Sequence, residues 1–243
     1  MSVQVEETRD VRRALARAQA YGLLARAFGR PDSAFLSEIR GGHFRRGLKA
    51  ALTALDWEDA EAPRGGARTA ALQSEFVRLF SPSAGANCPP YETEYTGAHV
   101  FMRAQQLADI AGFYRAFGLQ LAAGFRERPD HIAAELEFMH VLALKEARAL
   151  ARGEEEHAET CRRAQAGFVR DHLGRWLAPY AERLASLSEG SFYARVASLS
   201  SDFVARDAES RGVRPEIATA RLTLEPEPAL ECPAEAGETS GAG

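Results

Sequence analysis

Apolar residues recur along most of the chain at three- and four-residue intervals, the spacing that lines them up on one face of an α-helix. Val11, Leu15, Ala18 and Gly22 keep that spacing and Leu24 and Phe28 extend it, which predicts a first helix ending at Phe28. Gly29-Arg30-Pro31-Asp32 stops it, and the Asp32 carboxylate can cap the helix that follows. Short helices are predicted over 33–39 and 44–55, then a surface loop at 58–66, then a helix over 67–80 with Leu72, Phe76, Leu79 and Phe80 on one side. Residues 81–97 carry three prolines and two glycines and exclude a continuous helix. Helix resumes from Ala98 to Phe117, with a break expected at Gly112. After a loop at 118–128, a strong helix runs to Ala151, capped by Asp130 or Arg128 and striped by Ile132, Leu136 and Met139. Further helices are predicted over 155–185, broken near Pro179, and over 192–209. No segment sustains a two-residue alternation rich in β-branched residues, so the expected fold class is all-α.

Beyond Arg214 the composition turns to Glu, Pro, Ala and Gly with few apolar anchors, too little to offset the entropy of ordering. Two parts are therefore expected, one helical domain over 1–213 and a disordered acidic tail over 214–243. The tail also explains the charge. From Leu222 onward there are five glutamates and no base; without them 29 acidic residues face 30 basic ones, although the whole chain carries −4. A near-balanced body lacks the Lys/Arg excess that phosphate-driven binding to nucleic acid needs. Three scattered cysteines (Cys88, Cys161, Cys232) form no CxxC pair, which fits a reducing compartment. The longest uncharged stretch that could suit a membrane, 116–125, is far short of the ~20 residues of a membrane-spanning helix. Arg12-Arg13 is followed by Arg17 and Arg26 instead of an apolar run, so it is not an export signal. The expected location is the cytoplasm, without membrane insertion.

Candidate chemistry falls in three places. Glu137-x-x-His140 and Glu154-x-x-His157 each put an acid and an imidazole on one helix face, the pairing used by di-iron bundles. The second copy also reads as an acidic helix start, which the helix dipole favours without any metal. Cys88 has His99 as its nearest histidine in sequence but no third orienting group. The third place is a pair of loops. Pro89-Pro90-Tyr91-Glu92-Thr93-Glu94-Tyr95 alternates rings and acids behind a proline turn, with Phe76 and Phe80 just upstream. Arg128-Pro129-Asp130-His131 sets an acid and an imidazole at a helix start. Each taken singly is ordinary turn and capping chemistry. Together they describe a surface for a peptide that carries basic residues and an apolar run.

These residues resemble a known family. Ser74-Glu75-Phe76-Val77-Arg78-Leu79-Phe80, followed by Cys88-Pro89-Pro90-Tyr91-Glu92-Thr93-Glu94-Tyr95, is similar to the E-[YF]-x-R-L-F … P-P-[YW]-E-S-x-Y signature of the TorD/DmsD/NarJ chaperones. Arg128-Pro129-Asp130-His131 through Glu135-Leu136-Glu137-Phe138-Met139 resembles their second motif, P-D-H-[IL]-x-x-E-L-x-F-M. The resemblance covers roughly residues 10–210. It implies a cytoplasmic, single-domain helical bundle of the TorD-like type that is not an enzyme. Such a chaperone binds the twin-arginine signal peptide of a molybdopterin-containing oxidoreductase precursor, prevents premature export and assists cofactor insertion. It further implies peptide binding by Phe76, Phe80, Pro90, Tyr91, Glu92, Tyr95, Asp130, His131 and Glu135. The expected partner is the apo-form of the catalytic subunit, met by a monomer or a domain-swapped dimer. No cofactor is expected to be held permanently; weak guanine nucleotide binding and transient molybdopterin contact are properties the resemblance brings with it. Tyr91 stands where some members have Trp, and Thr93 where Ser is usual. Two alternatives rest on the residues themselves: a helical scaffold without peptide binding, and a metal-dependent bundle enzyme using Glu137, His140, Glu154 and His157.

Overall fold

The computed structural model describes residues 2–64, 69–80, 88–97 and 100–219, and their regular structure is helical. In chain order the helices are α1 (Ser2–Phe28), α2 (Ser33–Arg40), α3 (His43–Thr53), α4 (Thr69–Phe80), α5 (Val100–Ala116), α6 (Ile132–Leu150), α7 (Glu155–Phe168), α8 (Gly174–Leu187) and α9 (Phe192–Ser210). A 3-10 turn, Glu92–Glu94, precedes α5, and a π-helical turn, Val169–Leu173, joins α7 to α8. Strand-like pairing among the described residues amounts to one isolated antiparallel bridge, between Tyr91 and His131.

Helix α6 is the axis of the bundle. Ile132, Leu136, Met139, Leu142 and Ala143 are wholly buried, and its partners cover most of its circumference, as expected of a helix apolar nearly all round. Its main partner is α1, whose Ala14, Ala18 and Ala25 are buried, while Tyr21 on the same helix turns to α9 and donates to Asp207 at 2.7 Å. Small side chains let the two axes approach. At the closest point His140 presses on Gly22, where a Cβ would sit 2.8 Å from the imidazole Nδ1. That nitrogen donates to the Ala18 carbonyl at 2.7 Å. One buried acid, Glu146, ties three helices together by accepting from Arg17 (2.9 and 3.0 Å), Arg162 (3.3 Å) and Gln165 (2.8 Å).

The predicted elements recur with informative differences. Asp32 caps α2 as expected, accepting from the Phe35 amide at 2.7 Å. Leu15 is 47% exposed, because the buried face of α1 runs through Ala14, Ala18 and Tyr21 instead. Gly112 does not break α5; nothing lies within 4 Å of where its Cβ would be, and the backbone stays helical. Helix α6 is capped by neither Asp130 nor Arg128 but by His131, whose Nδ1 accepts from the Ala133 amide at 3.1 Å.

The break expected near Pro179 is also absent, since α8 continues through it. Proline has no N–H to offer the carbonyl four residues earlier, which is that of Arg175. The Ala218 amide bonds that carbonyl instead, at 2.8 Å. Residues 213–219 thus run back over the start of α8. Pro215 lies so close to Gly174 that a Cβ there would meet its Cγ at 2.5 Å and the Val169 carbonyl at 2.4 Å. The tail expected over 214–243 therefore begins with a surface strap at 214–219 tied to α8 through Pro215 and Ala218, while 220–243, with the five glutamates and Cys232, lie outside the described residues.

Candidate functional site

The two loops singled out in the sequence are joined to each other. The Glu92 amide donates to the Asp130 carbonyl and the Ile132 amide to the Pro90 carbonyl, both at 3.0 Å, so the segments pair around the Tyr91–His131 bridge. Asp130 is wholly buried. Its carboxylate accepts a two-pronged contact from Arg128 (2.9 and 3.0 Å) and two bonds from Thr93, through the amide (3.2 Å) and the hydroxyl (2.8 Å). This is why Asp130 does not cap α6: its oxygens are committed to a residue 37 positions away. The Thr93 hydroxyl is what that position supplies, so Thr in place of Ser leaves the junction intact. Arg128 goes on to Glu94 (3.1 Å) and lies 4.2 Å over the Tyr91 ring. The Tyr91 hydroxyl donates to Glu127.

Below this junction two further acids meet in the interior. Glu92 and Glu135 are both wholly buried. Glu92 Oε1 accepts from Gln106 and lies 3.2 Å from His172 Nδ1; Glu135 Oε2 accepts from the Trp176 indole at 3.0 Å. The remaining oxygens, Glu92 Oε2 and Glu135 Oε1, are buried without a hydrogen-bond partner, and the two carboxyls lie close enough for Glu92 to act on Glu135. A proton kept on Glu135 would supply the donor that these two oxygens lack. Burial first, and then the neighbouring Glu92, hold the Glu135 carboxyl well above its ordinary value. Burial has the opposite effect on His131, whose imidazole is lowered to about 4 and stays neutral as the cap requires.

A testable consequence is a pH-dependent stability. A group whose pKa is raised on folding contributes fully below its unfolded value, here about 4.5, and loses that contribution as pH climbs toward the folded value. Glu135→Gln supplies an amide donor to Glu92 and keeps an acceptor for Trp176. It is expected to match the wild type near pH 5 and to exceed it at pH 8, by more than about 1 kcal/mol. Urea unfolding at the two pH values measures this; equal slopes for both proteins would exclude a proton kept on Glu135. His131 weakens both proteins alike as pH falls from its unfolded value of 6.5 toward 4, so the comparison cancels it.

Beside the junction lies an open groove of about 870 Å³. Its floor is α6 at Ala133, Ala134, Glu137 and Val141; one wall is α1 at Gln19, Gly22, Leu23 and Arg26. Leu119, Leu121 and Phe125 of the 118–128 loop form the other wall, with Tyr114 and Phe138. The groove exists because side chains are small where the helices face it, at Gly22, Gly29, Ala133 and Ala134. Tyr114 connects it to the junction by donating to the Pro129 carbonyl at 2.7 Å.

Residues 43–182 match the family described as nitrate reductase delta subunit. The perchlorate reductase assembly chaperone protein of Dechloromonas aromatica is 33% identical over 68% of this chain and 76% of its own length. The chain belongs to the TorD/NarJ-type family of redox-enzyme maturation chaperones. Other members are the dimethyl sulfide dehydrogenase assembly chaperone protein of Rhodovulum sulfidophilum, 33% identical over 72% of this chain and 71% of that one, and the chaperone protein TorD of Photobacterium profundum. The last is 28% identical over 56% of this chain, and the match spans 62% of its length, under two thirds. These relatives are named as chaperones and not as catalysts, and the present protein is a maturation chaperone, not an enzyme.

In this chaperone the sequence-singled residues divide into three groups. Glu92, Asp130, Glu135, Pro90 and Tyr95 are buried, and His131 nearly so. The expectation that these acids present carboxylates on an open surface is corrected: each meets a partner inside the protein, because the loops need them to close on each other. Phe76 and Phe80 are half-buried and pack on each other (5.0 Å between ring centres) and on Tyr193 of α9 (5.9 and 5.3 Å), not around Tyr91. At the junction itself Tyr91 keeps a half-exposed ring, edge-on to His131. None of the nine lines the groove; the second motif reaches it through Ala133, Ala134, Glu137 and Phe138.

The Glu-x-x-His pairs do not converge. His140 is held by the Ala18 carbonyl, His157 stands exposed beside Glu154 at 3.3 Å, and no three potential metal ligands cluster among the described residues. Cys88 is buried with its sulfur 3.6 Å from the Tyr95 hydroxyl, and burial pushes the thiol up to about 11, unsuited to nucleophilic attack. His99 lies outside the described residues. No described helix is long and apolar enough to cross a membrane.

Proposed function

We propose that this chaperone acts in the cytoplasm on the precursor of a molybdopterin-containing oxidoreductase. It holds the precursor's twin-arginine signal peptide, delays export, and keeps the apo-form open for cofactor insertion without itself holding a cofactor permanently. The relatives' named clients, perchlorate reductase and dimethyl sulfide dehydrogenase, support a redox-enzyme client. The observation that carries the peptide-binding reading is the groove. It is apolar, open at the surface, of a size suited to a short peptide's side chains, and fixed to the family's motif junction through Tyr114. The junction's part in this reading is to hold the 118–128 wall at a set distance from α1.

Titration calorimetry with a synthetic signal peptide tests it, and saturable one-to-one binding is expected. Leu121 is half-buried on the loop wall, so Leu121→Asp alters the groove and not the helical core. Losing a buried leucine contact is worth about 1.5–3 kcal/mol, so affinity is expected to fall by about tenfold or more with the circular dichroism spectrum unchanged. An absence of saturable wild-type binding at any accessible concentration would leave only the helical-scaffold reading.

A further inference from the structure

The acids closest to the family motifs already have partners inside the protein or are buried. Glu92, Asp130 and Glu135 are wholly buried, Glu94 pairs with Arg128 and Arg103, and Glu127 accepts the Tyr91 hydroxyl. Within the groove, Glu38 is paired with Arg26 at 3.4 Å. Glu137 differs from all of these. It is exposed on the groove floor, with Ala133 and Ala134 one turn before it and Val141 one turn after, and no cation lies against it among the described residues. Arg26 and Glu38 cancel each other, so the groove's charged lining leaves one negative charge, on Glu137.

We propose that Glu137 is the specificity-determining residue of the groove, the carboxylate that receives a guanidinium of an arginine-bearing peptide whose apolar run lies along α1 and the 118–128 loop. This rests on the peptide-binding reading above and adds to it the point where charge is recognised. A carboxylate accepts two parallel bonds from a guanidinium, a geometry an ammonium cannot reproduce. The ion pair would form over a floor of alanines, where the bound peptide excludes water and screening is weaker than on open surface. Its neighbours on the α6 floor, Ala133, Ala134 and Val141, carry no polar side chain that could compete for the carboxylate.

The test uses the full chain and three synthetic peptides that share one apolar run: an Arg-Arg form, a Lys-Lys form and a Gln-Gln form. Wild-type protein is expected to bind the Arg-Arg peptide about tenfold more tightly than the Gln-Gln peptide, with Lys-Lys between them. Glu137→Gln is expected to bind all three with the affinity the wild type shows for Gln-Gln, while its helicity and melting temperature stay unchanged. Full discrimination retained by Glu137→Gln would overturn the assignment and move it to another acid. Equal wild-type affinity for all three peptides would overturn it too, leaving the apolar groove as a peptide site. If the wild type binds none of them, both the assignment and the peptide-binding reading fall.

Discussion

Replacing Asp130 by alanine is expected to cost about 3 kcal/mol of folding stability, read as a fall in melting temperature of about 6–12 °C. The carboxylate is wholly buried and takes four hydrogen bonds, two from Thr93 and two from Arg128. Its removal strands the Thr93 amide in the interior and leaves the Arg128 guanidinium facing a void. Arg128 is 35% exposed and can turn outward toward Glu94, which keeps the loss at the lower end of that for a fully buried pair. Asp130→Asn keeps one acceptor and is expected to lose about half as much. If Asp130→Ala instead weakened peptide binding while melting within 2 °C of the wild type (roughly 1 kcal/mol), the acid would have to be reassigned from scaffold to ligand contact.

The largest effect is expected at Trp176. Its ring is fully buried, with ring centres 5.5 Å from both Tyr95 and Tyr180, and its indole N–H is the donor to Glu135. Truncation to alanine opens a large cavity, worth about 3–5 kcal/mol, and also deprives a buried acid of its N–H partner. The total, about 5 kcal/mol, approaches the whole stability of many domains. Trp176→Phe keeps most of the ring packing and removes only the donor, for an expected loss of about 1–2 kcal/mol. Urea denaturation of the two variants separates cavity from hydrogen bond. Equal losses would mean that the Glu135 contact dominates and packing adds little.

The helices were largely readable from the chain because each one is specified locally. The stripe of Ile132, Leu136 and Met139 is a three-four repeat within one segment, and all three residues are wholly buried. The Asp32 cap involves an amide three residues away. The misreadings arise where the deciding partner is distant. Asp130 has the composition of a helix cap, but Thr93, 37 residues earlier, claims its oxygens, and the cap passes to His131. Pro179 has the composition of a helix break, but an amide from Ala218 fills the carbonyl it leaves open. The family motifs were legible because their residues are chemically conspicuous, and they proved to be a junction. The groove was not legible, since it is made by side chains that are missing: Gly22 and Gly29 on one helix and Ala133 and Ala134 on another. A search for acids, imidazoles and rings passes over such positions. Glu137 did stand out, as half of a Glu-x-x-His pair; its place in an apolar groove, not that pairing, gives it a different significance.

The bond between Ala218 and the Arg175 carbonyl imposes an order on biosynthesis. Helix α8 leaves the ribosome with one acceptor unfilled, and the amide that fills it follows 43 residues later. The turn of α8 that begins next to His172 and Trp176 is thus completed only when the strap has been translated. A chaperone of this design closes that turn of α8 last, so a nascent chain arrested in α9 already contains every residue of both motifs and the groove yet lacks the bond that closes the helix behind them.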